Sequence, residues 1–269
     1  MIDPDTLPAE PLPRLLAVMA ALRDPADGCP WDLEQTWSTI APYTIEEAYE
    51  VADAIARSAW NEVPGELGDL LLQVVYFAQM GREEERFDFG DIARIAAEKM
   101  ILRHPHVFGT EQIADEAAQN AAWEVQKANE RRARGETRVL DGVAIALPAL
   151  SRALKLQNRA ARVGFDWPDE AGVLDKIVEE AGELAEVARD GDADRIEDEA
   201  GDLLFAVVNL VRKLGVDPEA ALRRTNTKFQ RRFAAVEDEL GARGRAPAQS
   251  DLLEMDAIWA EVKAREKSD

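Results

Sequence analysis

Apolar residues recur along most of the chain at spacings of three and four, the period of a helix face turned to a core. Leu12-Pro13-Arg14-Leu15-Leu16 opens such a run, which continues to about Leu22 before Asp24-Pro25-Ala26-Asp27-Gly28 supplies turn chemistry. Cys29-Pro30-Trp31-Asp32 reads as a loop with Trp31 as an aromatic plug beneath it. Thr44 with Glu47 fits a capping box that starts the next helix, which is expected to run to about Trp60. Asn61 and Pro64 start another, running to about Arg82. A short connection between two long helices implies an antiparallel hairpin. A further helix is expected from about Phe89 to Arg103, stopped by His104-Pro105-His106. Residues 1–11, rich in proline and acid, read as a loose arm.

The second half repeats the first. Leu147-Pro148 matches Leu12-Pro13 at an offset of 135, and Trp167 matches Trp31 at 136. Lys228 and Arg232 match Lys99 and Arg103 at 129, and Trp259 matches Trp123 at 136. Between the copies, residues 109–146 are polar, with the clearest break at 131–137. The expected organisation is an N-terminal helical domain at 12–125, a linker at 126–146 and a C-terminal helical domain at 147–269. Sustained alternation and β-branched clusters are nearly lacking, so the fold class is all-α, a tandem duplication of one helical bundle.

The repeat is densest in acids. Glu46-Glu47-x-x-Glu50 is followed by Glu66-x-x-Asp69, and the same acids return 133 residues later as Glu179, Glu180, Glu183, Glu199 and Asp202. On helices, Glu47 and Glu50 share a face, as do Glu66 and Asp69, and the hairpin brings the two faces together. Apolar runs follow each Glu-x-x-Asp, beginning at Leu70 and Leu203, so the acids border core-forming sequence. Four carboxylates in a partly dry site repel one another unless a cation joins them, and oxygen-only ligands suit Mg²⁺ or Mn²⁺. One Glu-x-x-Glu alone is usually a solvated helix face; two such pairs, twice in register, favour a metal site.

Other metal chemistries fit less well. Asp190-Gly191-Asp192-Ala193-Asp194 resembles the start of an EF-hand loop, but Arg195 stands where glycine belongs and Gly201 where glutamate belongs. It reads instead as an acidic turn and N-cap. Neither His104 nor His106 lies three residues after a glutamate, against a di-iron bundle, and no Cys/His cluster supports zinc.

Composition narrows the partners. A net charge of −21 opposes binding to duplex nucleic acid or an anionic membrane, yet tolerates a small anion arriving with its own cation. Hydrophobic content of 46% supports a sizeable core. The single Cys29 suits a reducing cytosol, and no secretory signal or spanning stretch is visible, so the expected compartment is the cytoplasm. Cations near the acids complete the picture. Lys176 lies one turn before Glu180, Arg195 one turn before Glu199, and Lys228 one turn before Arg232. They could pair with neighbouring acids or grip phosphates, and Trp259 could be core or stack on a base. No Walker pattern or Gly-rich dinucleotide loop is present.

These residues resemble the MazG family of nucleoside triphosphate pyrophosphohydrolases. The likeness rests on the Glu-Glu-x-x-Glu and Glu-x-x-Asp pattern, on Gly28-Cys29-Pro30-Trp31-Asp32, on Arg103-His104-Pro105-His106-Val107-Phe108, and on Gly164-Phe165-Asp166-Trp167. It covers nearly the whole chain. The resemblance implies a helical bundle, homodimers, and Mg²⁺-dependent cleavage of NTPs and dNTPs to monophosphate and pyrophosphate with broad base tolerance. It also implies Glu180, Glu183, Glu199 and Asp202 as metal ligands, and Lys176, Arg195, Lys228, Arg232 and Trp259 as nucleotide contacts. Glu179 is a candidate for orienting the attacking water, and Glu47, Glu50, Glu66 and Asp69 form a candidate second metal site. Two other readings stay open: a narrower dimeric all-α dUTPase, and a non-enzymatic helical adaptor.

The copies are not equal. At the offset of 133, Lys176 corresponds to Tyr43 and Arg195 to Glu62. The first copy therefore lacks two cations near its acids. The chemistry is expected in the second.

Overall fold

The apolar periods resolve into helices throughout, and no strand occurs among the described residues of the computed structural model, which are 3–110, 114–133 and 135–266. In chain order these are α1 (Pro11–Leu22), α2 (Pro30–Glu34), α3 (Trp37–Ala56), α4 (Val63–Glu83), α5 (Phe89–Arg103), α6 (Pro105–Phe108) and α7 (Glu116–Ala133). They continue with α8 (Ala149–Ala161), α9 (Glu170–Asp190), α10 (Ala193–Lys213), α11 (Pro218–Ala242) and α12 (Leu252–Arg265). The chain divides into two units, Met1–Gln126 and Lys127–Asp269. α7 continues to Ala133, so the stretch expected as linker begins helical. None of the described helices is long and apolar enough to cross a membrane.

The first unit is built on the α3–α4 hairpin, against which α1 and α5 pack. Met19, Ile40, Val75, Tyr76 and Met80 form its buried cluster, joined by Leu15, Leu16, Trp37 and Leu72. Burying each such large side chain is worth about 1.5–3 kcal/mol before entropy is charged against it. Two expectations are corrected here. α3 starts earlier than Thr44: Thr36 caps it, its hydroxyl accepting from the Thr39 amide while Thr39 Oγ1 accepts from the Thr36 amide. Thr44 and Glu47 therefore lie inside the helix, and Pro42 is accommodated within it. The Cys29–Asp32 stretch is not a loop either, because Pro30 opens a short helical turn. Trp31 is 54% exposed within this chain and plugs nothing in it. The buried neighbour is Asp32, which accepts the Tyr76 hydroxyl at its carbonyl (2.9 Å) and at its carboxylate (3.1 Å).

The second unit is built on the α9–α10 hairpin, with α8 packed on α10, and α11 paired with α12. The turn between α9 and α10 is the acidic stretch that mimics an EF-hand start. Gly191 adopts a left-handed conformation (φ 75°) that ends α9, and Asp192 caps α10 by accepting the Arg195 amide. Val236, Leu240 and Ile258 join α11 to α12, with Met255, Trp259 and Val262 against them.

Candidate active site

Helical spacing lays out the second unit's polar face. On α9, Lys176, Glu180 and Glu183 fall on one stripe; on α10, Glu199, Asp202, Ala206 and Asn209 do the same. Because the two helices are antiparallel neighbours, the stripes meet. Carboxylate oxygens of Glu180, Glu199 and Asp202 lie within 4.8 Å of one another. Glu180 is buried, at 4% exposure, and the Lys176 ammonium stands 2.5 Å from it and 2.9 Å from Glu179. These contacts, Glu180 first, raise the lysine's pKa and keep it charged. Glu183 lies outside the three-oxygen group. Loss of solvent, then the charges of Glu180 and Glu199, push its carboxyl up.

The donor set is all hard oxygen, three carboxylates share one point, and a fourth feels their field. That combination fits Mg²⁺ or Mn²⁺ and offers nothing to a soft metal. Glu180, Glu199 and Asp202 would hold the ion, with Glu183 beside them. Glu179 faces solvent and accepts only from Lys176 among its described partners.

A cavity of about 500 Å³ opens beside this cluster. Lys176, Glu180 and Asp202 form part of its wall, and the apolar remainder includes Phe165, Trp167 and Phe205. Its floor is polar and ordered. Asn209 Oδ1 accepts from Arg212 Nε (2.9 Å) and Nη2 (2.7 Å), and Arg212 Nη2 also donates to Asp166 (2.6 Å). Gln157 Nε2 donates to the Phe205 carbonyl (2.8 Å). Lys213 adds a second bond to Asp166 (3.2 Å) and one to the Trp167 carbonyl (2.5 Å), pinning the loop that carries the tryptophan.

Three expected nucleotide contacts lie elsewhere. Lys228 and Arg232 sit on α11 and Trp259 on α12, and none of them lines the cavity. Arg232 donates to Glu266 Oε2 from Nε (2.8 Å) and Nη2 (2.7 Å) and lies over the Trp259 ring at 5.7 Å. Trp259 in turn packs on Phe229 with ring centroids 5.3 Å apart. Arg195 stands in the first turn of α10.

The first unit repeats the acids without the rest. Glu47, Glu66 and Asp69 bring oxygens within 4.8 Å of one another, and Glu50 lies beside them. Loss of solvent raises the Glu66 carboxyl first, and the charges of Glu50 and Asp69 add to it. Yet Tyr43 replaces the lysine, and Glu62 carries its charge toward Arg57 at 2.7 Å. Tyr76 occupies the position equivalent to Asn209, its hydroxyl already committed to Asp32. Burial pushes that phenol up to about 12.

Gln157, Asn209 and Arg212 are not singled out by the sequence pattern, and Asp166 enters it only within Gly164-Phe165-Asp166-Trp167. The available signal was Asn209 itself, one amide within the apolar run Ala206-Val207-Val208-Asn209-Leu210 and in step with Asp202.

The MazG nucleotide pyrophosphohydrolase domain matches residues 35–108 and 170–236, one segment around each hairpin. A nucleoside triphosphate pyrophosphohydrolase of Escherichia coli K12 is 50% identical over 255 residues, covering 94% of this chain and 97% of that protein. The nucleoside triphosphate pyrophosphohydrolase/pyrophosphatase MazG of Thermotoga maritima is 41% identical over 254 residues, covering 94% and 96%. An uncharacterized protein YabN of Bacillus subtilis is 42% identical over 252 residues, which cover 93% of this chain but 51% of that one.

Proposed function

The chain belongs to the MazG nucleotide pyrophosphohydrolase family, and we propose that its second unit carries the reaction. The activity is that of a nucleoside triphosphate pyrophosphohydrolase. In the course proposed for it, water adds to the α-phosphorus of an NTP or dNTP, the bond to the α,β-bridging oxygen breaks, and monophosphate and pyrophosphate leave. One observation carries the location: Glu180 and Asp202 belong at once to the acid cluster and to the cavity wall, which Lys176 also lines. A ligand with a polyanionic tail and a flat, partly apolar head is matched at both ends.

In this reading Glu180, Glu183, Glu199 and Asp202 hold a divalent cation, Mg²⁺ or in its place Mn²⁺. When bound, the ion neutralises phosphate charge and makes a nearby water more acidic. The chain's own groups do the rest. Lys176 gives a phosphate oxygen a charged donor, and Arg195 adds a second cation at the start of α10. Glu179, on the solvent side of Lys176, accepts a hydrogen bond from the attacking water and turns its lone pair to phosphorus. The aromatic walls of the cavity exclude water from the nucleoside. Lys228, Arg232 and Trp259 enter the proposal as outer nucleotide contacts, and Arg232 must release Glu266 to serve.

The assembly proposed is a homodimer in the cytoplasm. Support comes from apolar side chains left open on the α9–α10 hairpin: Leu174 at 49%, Val178 at 74% and Leu204 at 57% exposure. Such a patch covered by a second copy closes an isologous bundle. A panel of the eight common NTPs and dNTPs with Mg²⁺, assayed with and without chelator, tests the reading. Turnover of several bases that stops in chelator supports it. Turnover of dUTP alone supports the narrower dUTPase, and no turnover supports the adaptor.

A further inference from the structure

We propose that Gln157 and Asn209 read the Watson–Crick edge of the nucleobase at the cavity floor. The inference rests on the nucleotide reading of this cavity and deepens it. Both side chains are nine-tenths buried or more, at 6% exposure each, and both line the cavity. Burying two amides in a largely apolar pocket is unfavourable unless their hydrogen-bonding groups are used.

One half of each amide is taken by a described partner. Gln157 Nε2 is taken by the Phe205 carbonyl, an obligate acceptor, which fixes the amide's orientation. Its Oε1 is buried and has no partner. Asn209 Oδ1 is taken by two donors of Arg212, obligate donors, which fixes that amide too and turns Nδ2 away from the arginine. Phe205 lies one turn before Asn209 on α10, so the carbonyl that holds Gln157 belongs to the turn that ends at Asn209. The floor thus offers one acceptor and one donor, each held by a bond on its far side.

Every nucleobase presents a donor next to an acceptor along its Watson–Crick edge: the ring N–H and carbonyl of uracil and guanine, the amino group and ring nitrogen of adenine and cytosine. Held in one orientation, the pair meets the ring N–H and carbonyl of uracil and guanine in the same order, and meets the amino group and ring nitrogen of adenine and cytosine with the base turned over, while Phe165 and Trp167 supply apolar surface for the ring faces. The pair distinguishes an intact edge from a blocked one.

The test compares UTP with 3-methyl-UTP, and GTP with 1-methyl-GTP and 7-deaza-GTP, in wild type and in Gln157→Met. Methylation at these ring nitrogens removes the donor that Gln157 Oε1 accepts. Wild type is expected to lose about tenfold or more in kcat/KM on each methylated substrate, chiefly through KM, and to treat 7-deaza-GTP like GTP. In Gln157→Met the preference for UTP over 3-methyl-UTP should shrink toward one. Equal use of methylated and plain substrates by wild type overturns the proposal, as does a loss confined to 7-deaza-GTP. The wild-type comparison stands even if the variant fails to fold. Hydrolysis of plain NTPs with no methyl discrimination rejects this inference alone, whereas no hydrolysis of any NTP rejects the functional reading beneath it.

Discussion

The Lys176 ammonium stands 2.5 Å from the Glu180 carboxylate, whose side chain is 6% exposed, and the first unit has Tyr43 at the equivalent position. The lysine holds charge against a buried ligand of the acid cluster and lines the cavity beside it. Lys176→Met should therefore cut kcat/KM for ATP by about 10- to 100-fold, the range for losing a charged hydrogen bond. Steady-state kinetics with circular dichroism checks this. Near-wild-type kinetics in a folded variant would mean that the lysine serves only the helix.

Asp166 links the floor arginine to the loop carrying Trp167. Its hydrogen bond from Arg212, then that from Lys213, hold its carboxyl below the usual aspartate range. A depressed folded pKa contributes stability that is present above the unfolded value of about 3.9 and is lost as pH falls through the folded one. Wild type should thus lose Tm relative to Asp166→Asn as pH drops from about 5 to about 3. Parallel melting curves across that window would show that the contact adds no pH-dependent stability.

The second copy proposed for the α9–α10 face makes a direct prediction. Light scattering at micromolar concentration should give twice the chain mass of 29.8 kDa. Val178→Glu, at a position 74% exposed in the isolated chain, should shift the protein toward monomer by placing charge in the covered face. A wild-type mass of 29.8 kDa would contradict the dimer.

The parts of this molecule set by spacing along one helix are legible in the sequence. The apolar period gave both hairpins, and the 133-residue repeat placed Glu180, Glu199 and Asp202 on facing stripes. Thr44 and Glu47 have the spacing of a capping box, while the cap in use is Thr36 with Thr39. Trp31 invited burial by its size, yet Asp32 is the buried partner of Tyr76. The cavity floor was illegible for another reason. Gln157, Asp166 and Asn209 come from α8, a loop and α10, and hydrogen bonds over 46 to 48 residues tie Asp166 to Arg212 and Gln157 to Phe205, which no local pattern encodes. Lys228, Arg232 and Trp259 followed the repeat faithfully, but repetition says nothing about which cavity a residue lines.

The central claim is that the second unit's acid cluster cleaves nucleoside triphosphates between the α- and β-phosphates. Anion-exchange separation of the products from ATP, run on wild type and on matched Glu47→Gln and Glu180→Gln full-length variants, tests it most directly. Wild type and Glu47→Gln should yield AMP and pyrophosphate in equal amounts, and folded Glu180→Gln should lose more than about 100-fold in rate. ADP with phosphate as products, or equal loss in both variants, would contradict it.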